Sequence, residues 1–80
     1  MKKVVVVSAS WCSQCGPYKR ALEQVGIEYE NLDADAPENE KLLSQLGVRG
    51  LPTTIVFDGE IELGRTTGKN ITMLLEYLND

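Results

Sequence analysis

Residues 4–15 read VVVVSASWCSQC, an apolar run that leads into a cysteine pair, Cys12 and Cys15. Four consecutive valines are stiff at the first side-chain torsion, so they favour a strand buried on both faces, which we place at residues 2–7. The next segment, residues 13–25, has apolar side chains at helical spacing, namely Tyr18, Ala21, Leu22 and Val25. The cysteine pair is therefore predicted to lie where the first strand meets the first helix.

The middle of the chain predicts a second strand and a second helix. Residues 27–33 alternate apolar and acidic side chains at their start, which is typical of a strand. Asp35 and Pro37 form a helix-start signal, in which Asp35 caps the helix and Pro37 has a preset backbone angle. The buried stripe of this helix is predicted to be Leu42, Leu43 and Leu46. Gly47 should end the helix.

The last third of the chain predicts a hairpin and a final helix. Residues 53–57 are β-branched or aromatic, and residues 61–65 should return as an antiparallel edge strand after the Asp58-Gly59 turn. A helix begins near residue 69 or 70, with an apolar face of Ile71, Leu74, Leu75 and Leu78. The order β-α-β-α-β-β-α predicts an α/β fold, in which three helices cover both faces of a four-stranded mixed sheet.

Length and composition limit the functions that the chain can have. Its 80 residues are expected to form a single domain, residues 1–80, of ordinary globular composition. A net charge of −4 without a cationic cluster argues against nucleic-acid binding. The first apolar run is too short for a signal peptide or a membrane span, so no membrane association is expected. Both cysteines lie in one Cys-x-x-Cys pair rather than at wide spacings, which predicts a cytoplasmic protein.

The position of Cys12 favours nucleophilic chemistry. At a helix N-terminus, unpaired backbone N–H groups stabilise a thiolate, which is the reactive form in disulfide exchange. The two-residue spacer puts Cys15 about one turn away, where it can close a disulfide after Cys12 has attacked a substrate. We therefore predict a thiol-disulfide oxidoreductase in which Cys12 attacks and Cys15 resolves, with no cofactor.

Other interpretations of the pair stay open at this point. It could be an incidental disulfide in a non-catalytic binding module. Two thiolates can also hold Cu(I), so a copper carrier is an alternative, although the order expected for such a domain is β-α-β-β-α-β. Structural zinc is disfavoured because it normally takes four ligands, and the chain has two cysteines and no histidine. We predict no metal site.

Two motifs in this order resemble those of the thioredoxin superfamily. The first is Trp11 followed by the Cys-x-x-Cys pair after a valine-rich strand, and the second is VRGLPTT at residues 48–54. The resemblance covers nearly the whole chain and is greatest to compact members such as glutaredoxins and the small redoxins that reduce ribonucleotide reductase. It implies a thioredoxin-like fold that lacks the extra N-terminal strand and helix of thioredoxin proper, and it implies reduction of protein disulfides.

The resemblance also implies roles for four further residues. The family's proline corresponding to Pro52 is cis and faces the redox pair, and the backbone just before it, here Leu51, binds the substrate chain as an added strand. Trp11 is implied to be an apolar contact surface for partners, and Gly68 to let a substrate backbone approach closely. The expected partners are disulfide-containing protein substrates and an electron donor, either thioredoxin reductase or glutathione. The protein is expected to be a monomer.

Three positions depart from the family pattern. Val6 stands where thioredoxins carry a buried acid that is thought to assist proton transfer from the resolving thiol. Pro17 should either sit as early in the first helix as the geometry permits or bend that helix. Residues 67–70 read TGKN, where glutaredoxins commonly have a Gly-Gly and an acid that bind glutathione. The resemblance therefore leaves the electron donor open.

Overall fold

A computed structural model describes residues 2–79 of the chain. Its elements are β1 (Lys2–Ser8), α1 (Cys15–Gln24), β2 (Glu30–Asp33), a 3₁₀ turn (Pro37–Asn39), α2 (Glu40–Leu46), β3 (Thr53–Asp58), β4 (Ile61–Thr67) and α3 (Ile71–Asn79). The predicted order β-α-β-α-β-β-α is confirmed.

The four strands form one mixed sheet in the order β2-β1-β3-β4. β2 runs parallel to β1, whereas β3 is antiparallel to β1 and β4 is antiparallel to β3. The valine-rich strand is therefore central, as its continuous apolar run predicts, because strands flank it on both sides. β4 is the edge strand expected after the hairpin, and it extends two residues beyond the predicted end at residue 65.

Helices cover both faces of the sheet, as predicted. On one face, side chains of α1 and α3 pack against the central strands in a core made of Val4, Val6, Tyr18, Leu22, Val56 and Leu74. On the other face, α2 lies over a groove of about 320 Å³ between the helix and the sheet. Val5, Leu32 and Phe57 line this groove from the sheet, and Leu42 and Leu46 line it from the helix.

The predicted second strand is too long at its start. Only Glu30–Asp33 pairs with β1, beginning opposite Val5. The preceding residues leave α1 through Gly26, whose φ of 78° lies in the left-handed region, and the Ile27 N–H donates to the Leu22 carbonyl oxygen at 2.9 Å. Ile27 and Tyr29 pack against the core as predicted for apolar positions, but from a connecting segment and not from the sheet.

The second helix differs from the prediction in its cap and in its burial. It is preceded by the 3₁₀ turn, and no side chain caps either segment, so Asp35 is not the cap. The predicted leucine stripe is incompletely buried: Leu42 is 42% exposed, and Leu43 and Leu46 are half-buried. The physical reason is that a seven-residue helix crosses only part of the sheet face and leaves the groove open beside it.

Candidate active site

The predicted site residues lie on loops at one end of the sheet. In the strand register Ser8 pairs with Asp33, Val7 pairs with Thr53, and Thr53 pairs with Thr67. One end of the sheet therefore carries the last residues of β1, β2 and β4 and the first residue of β3. The loop that carries Cys12 follows β1, Pro52 precedes β3, and Gly68 follows β4, so the fold brings these three segments to the same end of the sheet.

Cys12 and Cys15 are joined by a disulfide, with their Cα atoms 5.4 Å apart. The two sulfur-bearing residues differ in burial: Cys12 is half-buried, whereas Cys15 is only 2% exposed. A partner disulfide can therefore approach Cys12 more readily than Cys15. This asymmetry is what the predicted roles of attacking and resolving thiol require.

The first helix begins at Cys15, two residues later than predicted, so Cys12 lies before the helix N-terminus and not at it. Cys12 belongs to a turn before the helix, in which its N–H donates to the Ala9 carbonyl oxygen at 3.1 Å and its own carbonyl accepts from the Cys15 N–H at 3.3 Å. Pro17 supplies the reason, because it has no N–H to donate to the carbonyl four residues earlier. The first hydrogen bond of α-helical spacing joins the Tyr18 N–H to the Gln14 carbonyl oxygen at 3.1 Å.

Pro17 consequently occupies the third position of α1 and removes no helical hydrogen bond. The first of the two predicted outcomes for this residue, a position as early as the geometry permits, is confirmed. Cys15 becomes the first residue of the helix, and its side chain lies with Tyr18 and Leu22 on the buried face.

Trp11 is the most exposed large apolar side chain near the cysteines, at 68% exposure. Its indole Nε1–H donates a hydrogen bond to Asp35 Oδ1 at 3.0 Å. Asp35 follows β2, which runs parallel to β1, so the loops that carry the two residues leave the sheet at the same edge. Sequence reasoning missed this role of Asp35 and treated the residue as a helix cap. The signal that could have indicated the bond to Trp11 is the position of Asp35, an acidic residue just beyond the strand that runs parallel to β1.

The loop before β3 lies beside the loop after β4. The Leu51–Pro52 peptide bond is cis, and the Pro52 carbonyl oxygen accepts a hydrogen bond from the Gly68 N–H at 2.8 Å. Gly68 has a φ of 81°, a conformation that residues with a Cβ rarely adopt. Pro52 is buried and Leu51 is half-buried. No backbone hydrogen bond joins Leu51 to another residue in the part of the chain that the structure describes.

Three polar side chains, those of Ser8, Lys19 and Asn31, are joined by hydrogen bonds at the end of β1 on the side of β2. The buried Ser8 donates to Asn31 Oδ1 at 2.6 Å, and Lys19 Nζ donates to Ser8 Oγ at 3.2 Å and to Asn31 Oδ1 at 3.4 Å. Val6, two residues earlier in the strand, is fully buried in the apolar core. The buried acid of thioredoxins therefore has no counterpart at this position.

Three further observations concern metal binding, membrane-spanning helices and the copper-carrier alternative. Within residues 2–79, no group of three or more histidine, cysteine or acidic side chains could hold a metal ion. None of the helices in the same residues combines the length and the apolar content that crossing a bilayer demands. The element order also differs from the β-α-β-β-α-β order expected of a copper carrier.

Comparisons with known proteins agree with this geometry. The family model described as thioredoxin matches residues 1–80. Thioredoxin of Rhodospirillum rubrum is 31% identical, over 88% of this chain and 72% of that protein. Thioredoxin 1 of Nostoc sp. is 27% identical, over 75% of this chain and 60% of that protein. The chain thus spans less than two thirds of the length of the Nostoc relative.

Solved structures of thioredoxins share the fold. The Trypanosoma brucei brucei thioredoxin superposes with a TM-score of 0.85 at 29% identity, and the match covers 100% of this chain and 74% of that one. The short form of spinach chloroplast thioredoxin f gives a TM-score of 0.85 at 25% identity, covering 98% of this chain and 73% of that one. Since the family model matches residues 1–80, this chain belongs to the thioredoxin family.

Proposed function

We propose that this chain reduces disulfides in proteins, passing two electrons through Cys12 and Cys15. The observation that carries the proposal is the asymmetric pair: two bonded cysteines at the open edge of the sheet, one half-buried and the other 2% exposed. A purely structural disulfide has no need of one cysteine more exposed than the other. A four-residue loop also contributes only about 2 kcal/mol by the chain-entropy relation, so a stabilising role alone is a weak explanation.

The reaction follows from this asymmetry. In the reduced protein, the Cys12 thiolate attacks one sulfur of a substrate disulfide, and the other substrate sulfur leaves as a thiolate that takes up a proton. Cys15 then attacks Cys12 in the mixed disulfide, and the second substrate sulfur leaves. The substrate gains two electrons and two protons, and the protein ends with the Cys12–Cys15 disulfide that the structure contains.

Residues around the pair form the proposed docking surface for the substrate. The backbone of Leu51, which has no backbone partner in the described chain, can add an extended substrate segment as a strand. Pro52 and Gly68 are held together by the hydrogen bond between their backbones and form the wall behind that segment. Trp11 offers an exposed indole face for apolar side chains of the partner.

The cellular setting is part of the same proposal. We propose that residues 1–80 act as one domain and as a monomer, since the described residues form one sheet that carries one redox pair. A cytoplasmic location is supported by the cysteine usage, because both cysteines serve a single redox pair. The electron donor is a thioredoxin reductase or glutathione. Residues 67–70, which read TGKN, lack the glutathione-binding pattern of glutaredoxins, and this favours thioredoxin reductase.

Insulin-disulfide reduction tests the activity. The reduced protein should precipitate insulin chains in the presence of dithiothreitol, and Cys12→Ser should abolish the acceleration. Cys15→Ser serves as the matched variant, because it keeps the attacking sulfur and should accumulate stable mixed disulfides with substrate once it has been reduced and freed of dithiothreitol. A non-catalytic binding module would instead retain partners without a covalent link. Full activity in Cys12→Ser would contradict the proposal.

Coupled turnover identifies the donor. NADPH oxidation should be followed with insulin as the final acceptor, once with thioredoxin reductase and once with glutathione and glutathione reductase. The expected result is turnover with the first system and little with the second. The reverse result would assign the chain to glutathione-dependent reduction and would leave the Cys12 chemistry unchanged.

A further inference from the structure

Three buried hydroxyl groups lie on the face of the sheet that α1 and α3 cover. The Tyr18 hydroxyl and Thr54 Oγ1 are 2.5 Å apart and share a hydrogen bond, and both residues are fully buried. Thr66 is 6% exposed and pairs with Thr54 across β3 and β4, so the two side chains lie on the same face of the sheet. These three residues are called the hydroxyl cluster below.

The hydroxyl cluster lies at the redox end of the sheet. Thr54 is two residues beyond Pro52, and on its other side it pairs with Val6 of β1. Tyr18 is three residues beyond Cys15, and both face inward from α1. Long side chains of a helix lean toward its N-terminus, so we expect the Tyr18 side chain to lean toward the turn that begins with Cys15.

The hydroxyl cluster has more hydrogens to donate than it uses. Tyr18 and Thr54 have one hydroxyl hydrogen each, and their mutual bond uses one of the two. Thr66 Oγ1 is buried without a hydrogen-bond partner in residues 2–79. A buried donor that is left unused is costly, so such a group calls for an explanation. An acceptor that is present in only one redox state would account for it, because the structure holds the oxidised pair.

We propose that the Tyr18 hydroxyl, held in place by Thr54, donates a hydrogen bond to the Cys15 sulfur as that sulfur becomes a thiolate in the resolving step. This inference rests on the proposed reductase function. Burial disfavours a charged sulfur, and Cys15 is almost completely buried. A hydrogen bond to the charged form offsets that penalty. Tyr18 is then a catalytic residue, Thr54 is a positioning residue, and Thr66 provides a further buried donor beside Thr54.

The step balances without any further reactant. Cys15 loses its proton to solvent or to the departing thiolate, and its sulfur bonds to the Cys12 sulfur. The bond between Cys12 and the substrate sulfur breaks, and the electron pair leaves with the substrate. The cysteine pair is oxidised and the substrate is reduced, while Tyr18 keeps its own proton throughout.

An aromatic disulfide, dithiobis(nitrobenzoate), separates the two chemical steps in one stopped-flow trace. With reduced protein in excess, Cys12 attack releases the first coloured thiolate in a phase whose rate depends on protein concentration. Cys15 then releases the second thiolate in a phase that does not depend on it. Tyr18→Phe should leave the first phase unchanged and slow the second about tenfold, the effect expected when one hydrogen bond to a charged group is lost.

Matched variants distinguish this role from a structural one. Thr54→Val should slow the second phase, and Thr54→Ser, which keeps the hydroxyl, should restore it. Tyr29→Phe removes the hydroxyl of a half-buried tyrosine that packs against the same core, and it should change neither phase. If Tyr18→Phe leaves the second phase unchanged, or slows both phases equally, the inference is wrong.

Failure of the underlying function gives a different result. The proposed reductase chemistry fails if the wild-type protein shows no first phase, or if the first phase survives in Cys12→Ser. If the wild-type protein shows both phases, with Cys15→Ser retaining only the first, the reductase chemistry holds and the Tyr18→Phe result tests the hydroxyl cluster on its own.

Discussion

Replacing Asp35 with alanine should loosen Trp11 and weaken the reduction of protein substrates. The indole of Trp11 is 68% exposed, and its one hydrogen bond to a protein group runs from Nε1 to Asp35 Oδ1 at 3.0 Å. Without this bond, the side chain can sample other rotamers before a substrate arrives. The free energy of ordering the indole then has to be supplied on binding.

The size of the effect follows from the exposure of the bond. A buried hydrogen bond to a charged acceptor contributes about 1.5–3 kcal/mol, but solvent competes with an exposed one. We therefore expect about 0.5–1 kcal/mol, which corresponds to a decrease of about two- to fivefold in kcat/KM for insulin. Asp35→Asn keeps an acceptor oxygen and should fall between Asp35→Ala and the wild type.

The chain has a single tryptophan, so its fluorescence anisotropy reports on the indole directly. Asp35→Ala should lower the anisotropy on the nanosecond timescale, whereas Glu38→Gln, which removes an acidic charge from the neighbouring turn, should not. Trp11→Phe keeps an aromatic ring but lacks the N–H, so it provides the second arm of a double-mutant cycle. If Asp35→Ala reduces kcat/KM as much in Trp11→Phe as in the wild type, the hydrogen bond does not carry the effect.

Three stability predictions follow from contacts elsewhere in the fold, each measured by urea unfolding. A Cβ on Gly64 would lie 2.4 Å from the ring of Tyr77, so Gly64→Ala should destabilise by about 1–3 kcal/mol, and by much less in a Tyr77→Ala background. The hydrogen bond from Arg65 lowers the pKa of Glu62, so this carboxylate stabilises the protein above its unfolded pKa. Glu62→Gln should therefore reduce the free energy of unfolding by less than about 1 kcal/mol at pH 7. This difference from the wild type should disappear as the pH falls through the lowered pKa. A difference that persists in acid would exclude the charge of Glu62 as its cause. Leu74→Ala should cost about 2–5 kcal/mol because Leu74 is fully buried, and equal costs for Leu74→Ala and Leu75→Ala would contradict the core described above.

The sequence predicts most of the fold because its strongest signals are local. The valine run, the Asp58-Gly59 turn and the periodicity of the last helix each specify one element, and all three are where the prediction places them. Burial within an element is less well predicted. Leu74 and Leu75 both belong to the predicted apolar face of α3, yet Leu74 is fully buried and Leu75 is 39% exposed. Helical periodicity defines a face, but the position of the sheet beneath decides which residue of that face reaches the core.

Pro17 has a larger effect on the start of the first helix than the sequence analysis predicts. Pro17 is identified from the sequence as a residue that must lie early in the helix or bend it. The same missing N–H also rules out a helical bond from residue 17 to residue 13, and this moves the first helical residue to Cys15. Cys12 is thereby left on a turn outside the helix, with more exposure than Cys15. The difference in exposure between the two cysteines is thus partly a result of the position of Pro17.

The hydroxyl cluster could not be predicted from the sequence because it depends on strand register. Thr54 meets Tyr18 only because β3 pairs with β1 so that Thr54 lies opposite Val6, on the face that α1 covers. A slip of one residue would turn Thr54 toward α2 and would bring Thr53 or Ile55 to the face of α1 instead. Thr53 in its present register uses its hydroxyl to bond the Gly50 carbonyl oxygen, at the start of the loop that holds Pro52. The same register therefore directs the Thr53 hydroxyl to the loop before β3 and the Thr54 hydroxyl to the face beneath α1. This loop and the hydroxyl cluster thus depend on a single pairing between two strands.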